Sequence, residues 1–387
     1  MQQKRNIILG IALIIIVGAI VFISAKKPAH IDSSTAAAVA NAPITTAPAA
    51  AGSTSAPESR VAILAAKAKE YVKAKEFVDP TGFINTAPFK LSDLIGNKVV
   101  LIDFWTYSCI NCQRTIPYLN AWYAKYKNYG LVIVGVHTPE FDFEKDIGNV
   151  TAAVQKAGIQ YPVVLDNNMG TWNAYGNEYW PNEYLIDIDG YIVHNQIGEG
   201  NYADTEKAIQ AALTERAQVL GTGQTIPTGT VDPANAIPLD DSGVQSPETY
   251  FGAERNEYLG VGTQGKIETQ TLVIPAATTP NMLYLDGTWN FQYEYAENTT
   301  ADAHIQYSYD AKHVYMVASA KTPVTLKLTL DGQPLGANAG ADVGSDSTVT
   351  IQANRLYDLV DGSSYGSHTL QIEVEGTGLD AYTFTFG

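Results

Sequence analysis

Two kinds of hydrophobic pattern divide the chain. From Phe77 to about residue 220, unbroken apolar runs alternate with segments of helical spacing. Beyond residue 243, short runs alternate apolar and polar residues with a period of two. In the first region Val99, Val100, Leu101 and Ile102 form a continuous run, which predicts a strand covered on both faces. Ile116, Leu119, Tyr123 and Tyr126 then fall at helical spacing, so a helix is expected to open near Cys109 with Ser108 as its N-cap. Gly130 breaks that helix, and Leu131 to Thr138 reads as a second buried strand. A helix follows over Phe143 to Ala157, with Ile147, Val150 and Val154 on one face, and then a third strand over Tyr161 to Asp166. Asp189-Gly190 predicts a tight hairpin between Asn182 to Ile188 and Tyr191 to Ile197, and Asp204 to Leu220 is expected as a closing helix.

The second region carries the runs TLVIP, WNFQYEY, IQYSYD, HVYMVAS, VTLKLTL, TVTIQ, HTLQIEVE and AYTFTFG, punctuated by Gly, Asp and Asn. That is the signature of an all-β sandwich. Trp289, Phe291, Tyr293 and Tyr295 alternate on one face; a sandwich core is the preferred reading, and a sugar-stacking row is the alternative.

The front of the chain is different. Ile7 to Ile23 is a seventeen-residue uncharged run flanked by Lys4, Arg5, Lys26 and Lys27, which predicts a single transmembrane anchor over 1–27, with a signal peptide as the alternative. Residues 28–59 are an Ala/Pro/Ser/Thr tether unable to build a core, and 60–77 an Ala/Lys-rich, solvated lead-in helix. A redox domain is then expected over 78–220, a Gly/Pro/Thr/Asp linker over 221–243 and the sandwich over 244–387.

Charge and cysteine usage sharpen this picture. The net charge is −16, which argues against a nucleic-acid partner. From Val219 onward 6 basic and 20 acidic residues give −14, so most of the charge belongs to the sandwich. Such acidity is compatible with calcium, but no ligand loop of recognisable spacing is present. The chain has two cysteines, Cys109 and Cys112, an economy suited to an exported protein.

A Cys-x-x-C pair serves redox exchange, a structural disulfide or zinc. Zinc needs further soft ligands, and six scattered histidines are a poor substitute, so no metal site is expected. Asp103 ends an apolar strand six positions before Cys109, and Pro117 lies inside the helix five positions after Cys112. With these three landmarks the segment resembles a thioredoxin-superfamily active site. The order β-α-β-α-β, hairpin, helix is similar to the TlpA/ResA-like branch, in which a helix and strand are inserted after the second strand.

The resemblance implies a redox-active Cys109–Cys112 disulfide and no cofactor. Cys109, at the helix N-terminus where unpaired N–H groups favour a thiolate, is the expected nucleophile, and Cys112 resolves the mixed disulfide. Asp103 is expected to relay a proton to or from Cys112. Trp180-Pro181 is a candidate cis peptide, and in thioredoxin-like folds that proline lies against the Cys-x-x-C. Trp180, Pro181, Ile110 and Asn111 are therefore the expected substrate-binding residues. Here the sequence departs from the superfamily twice, with Trp180 in place of a small β-branched residue and Ile110-Asn111 in place of Gly-Pro. His137 and Glu140, at a strand's carboxyl end, either line the redox cleft or form a polar turn without a role.

The segments SCINCQRTIPYLNAW (Ser108 to Trp122), GVHTPEF (Gly135 to Phe141), YWPNEYLID (Tyr179 to Asp187), SPETYFG (Ser246 to Gly252) and HTLQIEVEGTGLDAYTFTFG (His368 to Gly387) resemble the extracytoplasmic C-terminal part of DipZ proteins. That resemblance implies an α/β thioredoxin fold followed by a carbohydrate-binding-module-like, all-β jelly-roll sandwich. It also implies electrons arriving from a membrane thiol carrier. Because one helix replaces the multi-helix membrane domain here, the carrier is expected to be a separate, CcdA-like protein. The expected function is extracytoplasmic, membrane-tethered thiol–disulfide exchange on protein disulfides, in the reducing direction. Two alternatives stay open: a cell-wall or glycan binder with an inert thioredoxin-like spacer, and a thiol peroxidase.

Overall fold

All seven residues of the strand Val99–Trp105 are buried, because helices cover one face of its sheet and loops and a short helix cover the other. The computed structural model describes residues 59–237 and 243–387; the expected anchor and tether lie outside the described residues. Among the described residues no helix is long and apolar enough to cross a membrane.

The first half contains α1 (Arg60–Glu70), β1 (Gly82–Ile84), β2 (Val99–Trp105), α2 (Ile110–Tyr126), β3 (Leu131–His137), α3 (Ile147–Lys156), β4 (Val163–Leu165), α4 (Gly170–Tyr175), β5 (Asn182–Ile186), β6 (Ile192–Ile197) and α5 (Tyr202–Leu220). The six strands form one sheet in the order β1-β4-β3-β2-β5-β6. β2, β3 and β4 run parallel, and the β5–β6 hairpin and β1 are antiparallel. Alternate residues of β2 serve opposite sides: Val99, Leu101 and Trp105 pack with Ile116, Leu119, Leu185 and Ile209, while Val100, Ile102 and Phe104 pack with Val134, Val136 and Trp172.

Several expectations are corrected here. The expected helix over 143–157 begins only at Ile147, capped by the Asp146 side chain, and a 3-10 turn over Asp142–Lys145 precedes it; Ile147 is exposed rather than core. The six-residue α4 carries too short a period to be legible beforehand. The lead-in helix stops at Glu70 and is not merely solvated. Lys67 Nζ reaches Asp187 (2.6 Å), Asp189 (2.9 Å) and Glu215 (2.6 Å), and Arg60 pairs with Asp189 and Glu215. Asp187, Asp189 and Glu215 converge closely enough for a cation, and the Lys67 ammonium is that cation.

The second half contains β7 (Thr249–Tyr250), β8 (Thr269–Leu272), β9 (Leu283–Phe291), β10 (Ala296–Asn298), β11 (Ala303–Ala320), β12 (Val324–Leu330), β13 (Gln333–Pro334), β14 (Thr348–Ile351), β15 (Arg355–Glu375) and β16 (Leu379–Phe386). IQYSYD and HVYMVAS, which read as two strands, are one 18-residue strand, β11. Its first part pairs with β9 and its last part with β16, while β15 accompanies it along most of its length through two register shifts. The expected sandwich is thus a β-rich region whose ten strands join one hydrogen-bonded sheet, with β11 pairing β9, β15 and β16 in turn. Trp289 and Phe291 are fully buried in its core, whereas Tyr293 is 55% exposed in the turn after β9. The four aromatics therefore do not share one face.

The sandwich sits directly on the redox half. Ile110 and Phe141 share an apolar cluster with Tyr315, Val317, Leu356 and Tyr382. Around it, the Tyr107 hydroxyl donates to the Asn354 carbonyl (3.2 Å), Arg114 reaches the Tyr315 hydroxyl (3.4 Å), and Asp142 N donates to Glu294 (2.8 Å).

Candidate active site

Cys109, not Ser108, is the N-cap of α2; its backbone is extended and no side chain caps the helix. The Cys109 sulfur thus sits where first-turn N–H groups lack partners, a setting that favours negative charge. Ser108 is drawn elsewhere. Its hydroxyl donates to Glu144 Oε1 (2.6 Å) and its N–H approaches the same oxygen (3.3 Å). Glu144 is fully buried, and its other oxygen accepts from Glu140 N (2.7 Å) and Phe141 N (3.0 Å). One carboxylate therefore fastens the loop before the cysteines to the loop after β3. Burial pushes the Glu144 carboxyl up, and these donors oppose the shift.

The Cys109 sulfur is half-buried and lies 3.9 Å from the Trp180 carbonyl oxygen. Cys112, one turn deeper, is 1% exposed. Burial, then its contact with Cys109, holds the Cys112 thiol well above its ordinary value. Asp103 lies on the same buried side with Oδ1 unpartnered, and burial pushes its carboxyl up to about 7. Its parallel neighbour on β3 is Gly135, where a Cβ would come within 2.8 Å of Trp105 Nε1 and 3.3 Å of Tyr161. A side chain at position 135 would therefore push against both rings.

The Trp180–Pro181 peptide is cis. Trp180 is half-buried, its ring 4.3 Å from that of Trp172 and its Nε1 donating to the Thr138 carbonyl (3.1 Å). Asn111 and Trp180 line a cleft of 410 Å³ at Cys109. Ile110 also borders the cleft and is at the same time almost wholly buried in the apolar cluster with Tyr315, Val317, Leu356 and Tyr382. His137 is fully buried between Trp105 and Tyr107, and burial pulls its imidazole down to about 3; it does not line the cleft, whereas Glu140 does.

The far wall of the cleft comes from the sandwich, through Glu248, Tyr250, Arg255, Val317 and Phe386. Arg255 Nη1 pairs with Glu140 Oε1 (2.8 Å), and its guanidinium lies 3.7 Å from the centre of the Tyr250 ring. The Tyr250 hydroxyl stands between Glu140 (2.8 Å) and Glu248 (2.7 Å). The sequence offered Glu140 for the cleft as one of two readings, but gave no place there to Glu248, Tyr250, Arg255 or Glu144. The available signal was the segment SPETYFG, which carries Glu248 and Tyr250 in a stretch with little other reason to be polar and aromatic together.

Two family models match the chain, the AhpC/TSA family over residues 72–195 and the Thioredoxin like C-terminal domain over residues 246–387. Protein DipZ of Mycobacterium tuberculosis is 38% identical over 309 residues, 79% of this chain and 42% of that protein. The thiol-disulfide oxidoreductase YkuV of Bacillus subtilis is 33% identical over 122 residues, 32% of this chain and 82% of that protein. The thiol-disulfide oxidoreductase ResA of Bacillus thuringiensis is 36% identical over 110 residues, 28% of this chain and 60% of that protein. The fold and the paired cysteines define a thioredoxin-like protein, and the chain belongs to the thioredoxin-like thiol–disulfide oxidoreductases. It spans 42% of the length of the DipZ proteins that it matches.

Proposed function

We propose that this protein exchanges thiols and disulfides on extracytoplasmic protein substrates, running in the reducing direction. One observation carries the reading: a half-buried Cys109 sulfur opens into a cleft while Cys112 is sealed behind it. The Cys109 thiolate attacks a substrate disulfide, forming a mixed disulfide and releasing one substrate thiolate. Cys112 then gives up its proton and attacks the Cys109 sulfur, which releases the second substrate thiol and leaves the Cys109–Cys112 disulfide. Asp103, held near 7, is suited to take that proton. The Trp180 carbonyl at the cleft supports a role in pairing with an extended substrate segment beside Pro181.

In this reading the segment 7–23 tethers the protein to the membrane, and a separate membrane thiol carrier returns electrons to the disulfide. Reduction of insulin by the protein, with dithiothreitol as terminal reductant, tests the activity. The wild type should accelerate it and Cys109→Ser abolish the effect; equal rates would refute the proposal. The AhpC/TSA match keeps a peroxidase reading in play, and consumption of hydrogen peroxide faster than of insulin disulfide would favour it.

A further inference from the structure

Asp103 is not alone beneath Cys112. Its antiparallel partner on β5 is Glu183, and directly opposed residues of neighbouring strands project from the same face. Two carboxyl groups thus stand side by side in the sheet on the side that carries Cys112. Glu183 is 2% exposed, and its Oε2, like Asp103 Oδ1, has no hydrogen-bond partner among the described residues. Among the described residues no lysine or arginine contributes to the electrostatics of either carboxyl. An ordinary structural glutamate at such a depth is paired with a base or saturated with N–H donors, as Glu144 is.

The groups facing the pair come from every neighbouring element. Cys112 is presented by α2, the Tyr161 hydroxyl by the segment before β4, Tyr202 and Thr205 by α5, and His194 by β6. The Thr205 hydroxyl faces Glu183 and lies 3.1 Å from His194 Nε2. His194 is half-buried, so the ring that meets Thr205 also reaches solvent. Burial and the neighbouring Asp103 hold the Glu183 carboxyl well above its ordinary value.

We propose that Glu183 is a positioning residue that shares a proton with Asp103 and connects it to solvent through Thr205 and His194. The inference rests on the exchange reaction proposed above. When Cys112 attacks the Cys109 sulfur, its S–H bond breaks and the proton passes to an Asp103 oxygen. The S–S bond to the substrate breaks, and its electron pair leaves on the substrate thiolate, which takes a proton from water. Asp103 passes its proton to Glu183, and the Thr205 hydroxyl and His194 return one to solvent. Two carboxylates this close cannot both ionise readily, so the pair keeps a proton-accepting group whose affinity is matched to a thiol rather than to water.

The test uses the full-length reduced protein. Carboxyl-carbon NMR should show Asp103 titrating far above the ordinary range, and Glu183→Gln should shift its midpoint by about one pH unit or more, since the group that shares its proton is removed. An unchanged midpoint in the folded variant overturns the proposal. If Glu183→Gln does not fold, Thr205→Val decides: it keeps both carboxyls and should slow single-turnover reduction of oxidised glutathione by about tenfold. A wild-type rate in Thr205→Val overturns the proposal. A wild type that performs no exchange would refute the proposed function instead, and the Asp103 midpoint in Glu183→Gln would still decide whether the two carboxyls share a proton.

Discussion

Arg255 of the sandwich and Glu140 of the redox half meet at 2.8 Å on the rim of the cleft that holds Cys109. The pair closes a network in which Tyr250 lies against the guanidinium and bonds Glu140 and Glu248. With the apolar cluster around Ile110 and Tyr382, it makes the second half a wall of the first half's active site.

Arg255→Ala should therefore act on both stability and chemistry. It removes a charge-assisted bond to a mostly buried carboxylate and a ring contact, a loss of roughly 1–3 kcal/mol by urea titration. Brief iodoacetamide labelling of the reduced variant should modify Cys109 faster than in the wild type, because one wall is loosened. Cys112 should stay protected in both. Unchanged labelling would mean that the wall does not govern access.

Deletion of the sandwich is expected to behave differently from the cut at a linker that composition suggests. A fragment ending at Leu220 uncovers Ile110 and Phe141, and apolar surface beside a reactive thiol invites self-association. Light scattering should find it oligomeric where the longer protein is not. A monomeric fragment of wild-type stability would show that the interface contributes little.

Much of the redox half was legible because its signals are local. Val99 to Ile102, the Cys-x-x-C and the Asp189-Gly190 hairpin each lie within a few residues, and β2, α2 and the β5–β6 pair follow them. Trp180-Pro181 announced a cis peptide for the same reason. What stayed hidden depends on partners far along the chain. Glu183 reads as one polar residue in NEYLI, and only its register opposite Asp103 gives it meaning. Ile110 reads as a substrate contact, and its second role, packing with Tyr315 and Tyr382 of the second half, has no local signal. Ser108 looks like a cap because the competing acceptor, Glu144, is 36 residues away.

Lys67 supplies a third expectation. Its ammonium is held by Asp187, Asp189 and Glu215; burial works against the charge, but the hydrogen bonds it donates to Asp187 and Glu215 outweigh it and raise its affinity for the proton. Lys67→Met leaves the almost fully buried Asp187 without its cation, while Arg60 still holds Asp189 and Glu215, and should destabilise the protein by about 3–5 kcal/mol. A loss under about 1 kcal/mol in denaturant titration would make α1 the solvated lead-in that its composition suggests.

The aromatics after β8 separate core from surface. Trp289→Ala should cost about 3–5 kcal/mol, because the ring is fully buried among Phe291, Leu285 and their neighbours. Tyr293→Ala should stay within about 0.5 kcal/mol, since most of its side chain faces water. A glycan screen should accordingly be read with Tyr293 variants, because a sugar cannot reach Trp289. Equal losses at the two positions would contradict the division.

The last expectation concerns pH and Asp103. Its folded value, about 7, lies above the ordinary 3.8 because burial penalises the charge. A raised carboxyl contributes stability that is fully present below the unfolded value and is lost as pH rises through the folded one. Between about pH 4 and 7 the native state holds a proton that the unfolded chain has released, so this contribution falls with rising pH and levels off above 7. Asp103→Asn has no proton to lose. Its stability relative to the wild type should therefore climb across that window, by about 4 kcal/mol at most, since each tenfold rise in proton affinity is worth about 1.36 kcal/mol. Exchange should slow in the same variant, because the amide cannot take the Cys112 proton. Urea titrations of both proteins at several pH values from 4 to 8, with single-turnover rates at each, measure the two effects together. A gain in stability independent of pH would mean that Asp103 is ionised throughout, and full activity in Asp103→Asn would remove it from the proton path.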